Sequence, residues 1–219
     1  MKLWAFGDSF TESFETQTGL NEDYKKWKGY IPKNYVDFIS ENLQIEKINK
    51  GKGGTSNITI LSSLIKNINE IEDGDIVIVG WTSLNRFRII DMGENFFDFI
   101  GPQTIVQPLE NESPTLRHSL YEYLTIRQNP LFFEELIEYM KIINKSLPNC
   151  KILYWTWHDL NLISYTKKSQ DMAHLFYEQL VHVGSIEDIN TETQGVIQDF
   201  HYSENGHRYL AEKILKKIS

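Results

Sequence analysis

The chain has 219 residues, 41% hydrophobic and 24% charged, with a formal net charge of −8 at neutral pH. That length suits one domain with a sizeable core, and the acidic balance argues against a phosphate-backbone partner, so no nucleic acid is expected. No apolar run is long enough for a membrane span, and the single cysteine, Cys150, excludes an internal disulfide and is expected to be a buried structural thiol.

Leu3-Trp4-Ala5-Phe6 reads as a buried strand and not as a signal peptide, which makes a cytoplasmic location the default expectation. It runs straight into Gly7-Asp8-Ser9-Phe10-Thr11. Lys25-Lys26-Trp27-Lys28 is expected to be a solvated loop. Pro32 suits the first position of a helix carrying Tyr35, Val36, Ile39 and Leu43. A short strand over 45–49 leads into Asn49-Lys50-Gly51-Lys52-Gly53-Gly54-Thr55-Ser56-Asn57. Ile58, Leu61, Leu64, Ile65 and Ile68 then recur at helical spacing, with Thr55, Ser56 or Asn57 as the cap.

Residues 75–80 form the clearest strand, a β-branched run between Gly74 and Gly80. Residues 86–128 break the pattern and read as an insertion with its own short helices, placed as a cap over the site. Pro130 opens a helix carrying Phe133, Leu136, Ile137, Met140 and Ile143, closed by Pro148. Residues 151–157 are the fourth strand, and 171–181 have helical spacing. The last helix starts near Ser203 and carries Tyr209, Leu210 and Ile214. Its Glu204 is early and its Lys213, Lys216 and Lys217 are late, as the helix dipole favours.

Near-continuous apolar strands alternating with helices predict a three-layer α/β/α domain with a mainly parallel, flavodoxin-like sheet. Ligands in such folds bind beyond the carboxyl ends of the strands. Ser9 follows the first strand and belongs at that end, although turns favour Gly-Asp-Ser without any chemistry. Asp199 and His201 share a face only if their segment is extended. Asp199 then reaches His201 Nδ1 and leaves Nε2 for a serine. His158, in Trp157-His158-Asp159 after the fourth strand, competes as the base. His207 is expected within the last helix, and His118, His174 and His182 have no partnered spacing. The histidines form no zinc pattern, and no metal or organic cofactor is implied.

Together, strand-Gly7-Asp8-Ser9, strand-glycine loop-helix, and the late Asp199-Phe200-His201 resemble the SGNH (GDSL-type) hydrolase family over nearly the whole chain. The resemblance makes Ser9 the nucleophile and places its N–H in the oxyanion hole. It places the family's conserved glycine on Gly54, with Gly53 adjoining. Its oxyanion asparagine falls on Thr82, in Gly80-Trp81-Thr82, where a hydroxyl of shorter reach replaces the amide; Ser83, Asn85 or Arg86 are the other donors in reach.

The expectation is a single domain over 1–219, with the insertion or cap at about 86–128, that hydrolyses a carboxylic ester through an acyl-enzyme. The substrate would be a small-molecule or glycan ester, such as an O-acetyl group on a carbohydrate. Trp81, Arg86, Trp157 and His158 are candidate substrate contacts, with core aromatics and a surface arginine as equally good accounts. Acyl transfer at the same site, or a glycan-binding or structural module with weakened catalysis, stays open.

Overall fold

Strand β1 (Leu3–Phe6) is buried at all four positions, because both faces of the sheet are covered. It lies between β2 (Lys47–Asn49) and β3 (Ile76–Trp81), and β3 continues to β6 (Lys151–Thr156) and β7 (Leu180–Val181). All four pairings are parallel, in the order β2-β1-β3-β6-β7. This is the doubly wound order, with its switch point between β1 and β3. The computed structural model describes residues 1–17, 20–82, 86–90, 96–100, 128–156, 179–181, 183 and 201–219.

The strand period of two sorts the core into two layers. On one face Trp4, Phe6, Val77, Val79, Ile152 and Tyr154 pack with Ile60, Leu61 and Leu64 of α3 (Asn57–Asn67) and Leu136, Ile137, Met140 and Ile143 of α4 (Gln128–Ser146). On the other, Leu3, Ala5, Ile76, Ile78, Leu153 and Trp155 pack with Tyr35, Val36 and Ile39 of α2 (Tyr35–Leu43) and Leu210, Ala211 and Ile214 of α5 (Glu204–Ile218). Each fully buried aliphatic or aromatic side chain contributes about 1.5–3 kcal/mol. Asp75, fully buried, ties the start of β1 to that of β3. It accepts from the Lys2 N–H at 2.6 Å and from Trp4 Nε1 at 2.9 Å.

Several expectations are corrected. Lys25-Lys26-Trp27-Lys28, expected as a solvated loop, end helix α1 (Leu20–Lys28); Lys25 and Lys26 face solvent while Tyr24 is buried edge-on against Phe14. Helix α2 starts after Asn34, not at Pro32. Asn34 accepts from the Val36 and Asp37 N–H groups, and Asp37 returns a bond to the Asn34 N–H. That capping box satisfies donors at the helix start. Leu180 and Val181 pair with Tyr154 and Trp155 as a fifth strand, so the helix expected over 171–181 does not reach its end. Within 86–128, expected as an insertion with its own short helices, residues 86–100 contain the antiparallel pair β4 (Arg86–Ile90) and β5 (Phe96–Ile100). Residues 101–127 lie outside the described residues.

Cys150 is half-buried and not fully so; its thiol contacts the Glu72 carbonyl at 3.4 Å. Burial pushes it up, followed by the charges of Asp75 and Asp73. Among the described residues no helix is long and apolar enough to cross a membrane.

Candidate active site

The turn after β1 carries Ser9 and is organised by Asp8. The Asp8 carbonyl accepts from Thr11 N–H at 2.9 Å and Glu12 N–H at 3.0 Å. Its Oδ1 accepts from Phe10 N–H at 3.1 Å. These bonds span Ser9 and fix its backbone at the carboxyl end of β1. Gln17 Nε2 donates to the Ser9 carbonyl at 2.8 Å.

His201 reaches this turn from far along the chain: its Nε2 lies 2.7 Å from Ser9 Oγ. The local sequence explains the placement. Ser203 has extended backbone and caps α5 by accepting from Gly206 N–H at 3.1 Å, so the helix begins only at Glu204. Tyr202 is fully buried between Phe10 and Trp155 and anchors the segment. The His201 ring lies 5.0 Å from that of Phe10. Asp199, Trp157, His158, His118, His174 and His182 lie outside the described residues.

The glycine loop after β2 wraps the same turn. Lys52 N–H donates to the Gly7 carbonyl at 3.0 Å, and Asn49 Nδ2 to the Thr11 carbonyl at 2.6 Å. A Cβ on Gly51 would stand 2.5 Å from the Glu12 nitrogen, so only glycine allows this approach. Gly53 N–H donates to Glu12 Oε2 at 2.8 Å. Gly54 has φ +72°, the left-handed region that favours glycine, and its surroundings leave space for a Cβ.

The end of β3 closes the third side. Trp81 does not join the site: it is buried in the core, stacked 6.1 Å from Tyr154. Thr82 does join it, with its backbone held by Asn57, whose Oδ1 accepts from Thr82 N–H at 2.9 Å and whose Nδ2 donates to the carbonyl at 3.2 Å. The Thr82 hydroxyl donates to Asp8 Oδ2 at 2.6 Å. Arg86, at the start of β4, is nearly buried and pairs with that oxygen at 3.3 Å, and Nη1 also contacts the Thr55 carbonyl at 3.4 Å.

His207 sits behind this site in α5, buried against Phe14 at 5.3 Å and Tyr202 at 5.7 Å. Burial, and secondarily the facing His201, hold it down to about 3, so it is neutral at ordinary pH. Burial likewise pushes the Tyr202 hydroxyl up. Sequence reasoning missed the bonding of Asp8, Glu12 and Asn57. The adjacency of Asp8 to Ser9 was the one signal, and it does not reveal partners on other strands.

No family model matches the chain, and no curated protein matches it by sequence. Solved structures do match. A carbohydrate esterase family 2 enzyme with a carbohydrate-binding domain, from Corynascus thermopiles (Myceliophthora fergusii), superposes with a TM-score of 0.54 at 12% identity. The match covers 99% of this chain and 65% of that one. An alpha/beta hydrolase enzyme from the metagenome of Lake Arreo, Spain, gives a TM-score of 0.52 at 14% identity, over 99% of this chain and 94% of the other. An acetyl xylan esterase from the rumen bacterium Butyrivibrio proteoclasticus gives 0.52 at 12%, over 99% and 63%. With its five-stranded parallel sheet between two helical layers, the chain has the fold of the SGNH hydrolases.

Proposed function

We propose that the protein is a serine esterase that cleaves a carboxylic ester through an acyl-enzyme. The observation that carries this reading is the 2.7 Å contact between Ser9 Oγ and His201 Nε2, made by residues 192 positions apart. A serine hydroxyl becomes a useful nucleophile only when a base takes its proton. In this reading Ser9 Oγ bonds to the ester carbonyl carbon as its proton passes to His201 Nε2. The tetrahedral oxyanion collapses, the bond to the alcohol oxygen breaks, and His201 returns the proton to that oxygen. Water then repeats the sequence and releases the acid. Asp199 is assigned to His201 Nδ1, where it would hold the productive tautomer.

The oxyanion is assigned to the N–H groups of Ser9 and Gly54. Gly54 is preferred to Gly53 because the Gly53 N–H is already committed to Glu12. The substrate assigned is a short ester, an O-acetyl group on a carbohydrate being the first to test. That choice takes its lead from the names of two neighbours, an acetyl xylan esterase and a carbohydrate esterase.

The test is fluorophosphonate labelling with peptide mapping, together with turnover of p-nitrophenyl acetate and acetylated xylo-oligosaccharides. The expected result is a single adduct on Ser9 and loss of adduct and turnover in Ser9→Ala, with an unchanged circular dichroism spectrum. An adduct on another serine, or full turnover in the alanine variant, refutes the assignment.

A further inference from the structure

We infer that Thr82 is a positioning residue that acts on Ser9 through Asp8, as one arm of a buried clamp formed by Thr82, Asp8 and Arg86. The inference deepens the serine-esterase reading and rests on it. It reassigns the residue standing where a direct oxyanion donor was expected.

The argument begins with proton counting. A threonine hydroxyl has one proton. Here that proton goes to Asp8 Oδ2 at 2.6 Å, with both residues about 1% exposed. Toward anything else the hydroxyl offers only lone pairs, which repel a developing oxyanion. A bond to a buried carboxylate is also the stronger use of that proton.

The geometry then shows what the clamp holds. Asp8 Oδ1 and the Asp8 carbonyl together take the N–H groups of Phe10, Thr11 and Glu12, so the orientation of Asp8 sets the backbone of Ser9 between them. Thr82 is a firm anchor because Asn57, at the start of α3, grips its backbone at both N–H and carbonyl. Arg86 reaches the same Asp8 oxygen and the carbonyl of Thr55, next to Gly54. The nucleophile turn, the glycine loop and the end of β3 are thereby joined by one polar network at the switch point. Arg86 also balances the Asp8 charge, which would otherwise oppose negative charge developing on the neighbouring residue.

The experiment is a cycle of Thr82→Val, Asp8→Asn and the double variant, with Thr82→Ser as the conservative control. The readouts are the rate constant for fluorophosphonate labelling of Ser9, kcat and KM for p-nitrophenyl acetate, and Tm. Expected in the Asp8 background is a fall of about tenfold in kcat and labelling rate for Thr82→Val, with KM changed less than about twofold; this corresponds to one displaced hydrogen bond. Thr82→Ser should restore most of the loss. In the Asp8→Asn background, where Oδ1 can stay on Phe10 while the amide faces Thr82, the valine should cost less than about twofold.

An equal cost in both backgrounds overturns the clamp and returns Thr82 to direct contact with the oxyanion. No cost in either, or a rise in KM alone, also overturns it. If the wild-type protein takes no label at Ser9, the esterase reading fails, and the clamp is judged by Tm alone. The valine should then lower Tm by about 3 °C beside Asp8 and by much less in the Asp8→Asn background. Additive shifts refute the coupling.

Discussion

His207 gives the sharpest quantitative prediction, because a buried, neutral histidine makes stability depend on pH in a known direction. Its value falls from the ordinary 6.5 to about 3 in the folded protein, first through burial and then through the facing His201. The unfolded chain therefore binds a proton below the ordinary value, while the native chain refuses one until it reaches the lower value. The unfolded state holds more protons across that window, so stability is full above it and is lost as pH falls through it. At about pH 5 the cost is roughly 2 kcal/mol, from 1.5 units at 1.36 kcal/mol each. For a chain of this size that lowers Tm by about 4–8 °C relative to neutral pH. His207→Phe removes the titration and keeps an aromatic ring among Phe14, Tyr35 and Tyr202. The assay is Tm against pH for both proteins between about pH 7 and pH 4. Packing changes offset the whole curve and cancel in its slope. The variant should show the shallower acid slope; parallel curves would refute the claim that His207 is held neutral by burial.

His201→Ala should lower esterase turnover by at least about a thousandfold, and Asp199→Asn by a comparable factor, since the amide favours the wrong imidazole tautomer. His158→Ala should mainly raise KM; steady-state kinetics on the three variants decide, and a collapse of kcat in the His158 variant would move the base there. Gly54→Ala should destabilise by about 1–2 kcal/mol, the cost of left-handed backbone in a residue with a Cβ. Gly29, at φ +79° and equally open, supplies the control. Gly29→Ala should lower Tm similarly with unchanged turnover, whereas Gly54→Ala should lose both. Equal turnover in the two variants would remove Gly54 from the oxyanion site.

The central strands are read correctly from sequence because their burial is written in consecutive residues. Strands β1, β3 and β6 lie inside the sheet, so every position but the first of β6 is buried and the apolar run is unbroken. Strand β7 is two residues long and leaves no such run. Helix α1 is rich in lysine, and Glu22, Lys25 and Lys26 face solvent, so its buried Tyr24 carries too little pattern to be seen. The start of α2 falls later than the sequence suggests because proline is a visible marker, whereas the Asn34–Asp37 capping box needs the two side chains to be oriented toward each other.

The site divides along the same line. The Ser9–His201 contact was legible because chemistry restricts which residues suit the nucleophile and base roles proposed for them, and because a parallel sheet places loops after its strands at one end. The direction of a hydroxyl proton has no such signature. Thr82 and Asp8 are 74 residues apart, and nothing in either local sequence says that one donates to the other. Only the register of β3 beside β1, with Phe6 opposite Val79, brings the turn after β1 beside the end of β3. The same register makes Asp8 reachable by Arg86 and puts Asn57 under Thr82. A residue that replaces an expected amide donor at this position is therefore not thereby a weaker donor. With Asp8 facing it, a short hydroxyl is, in the proposed reading, better suited to holding the Ser9 turn than to reaching a substrate.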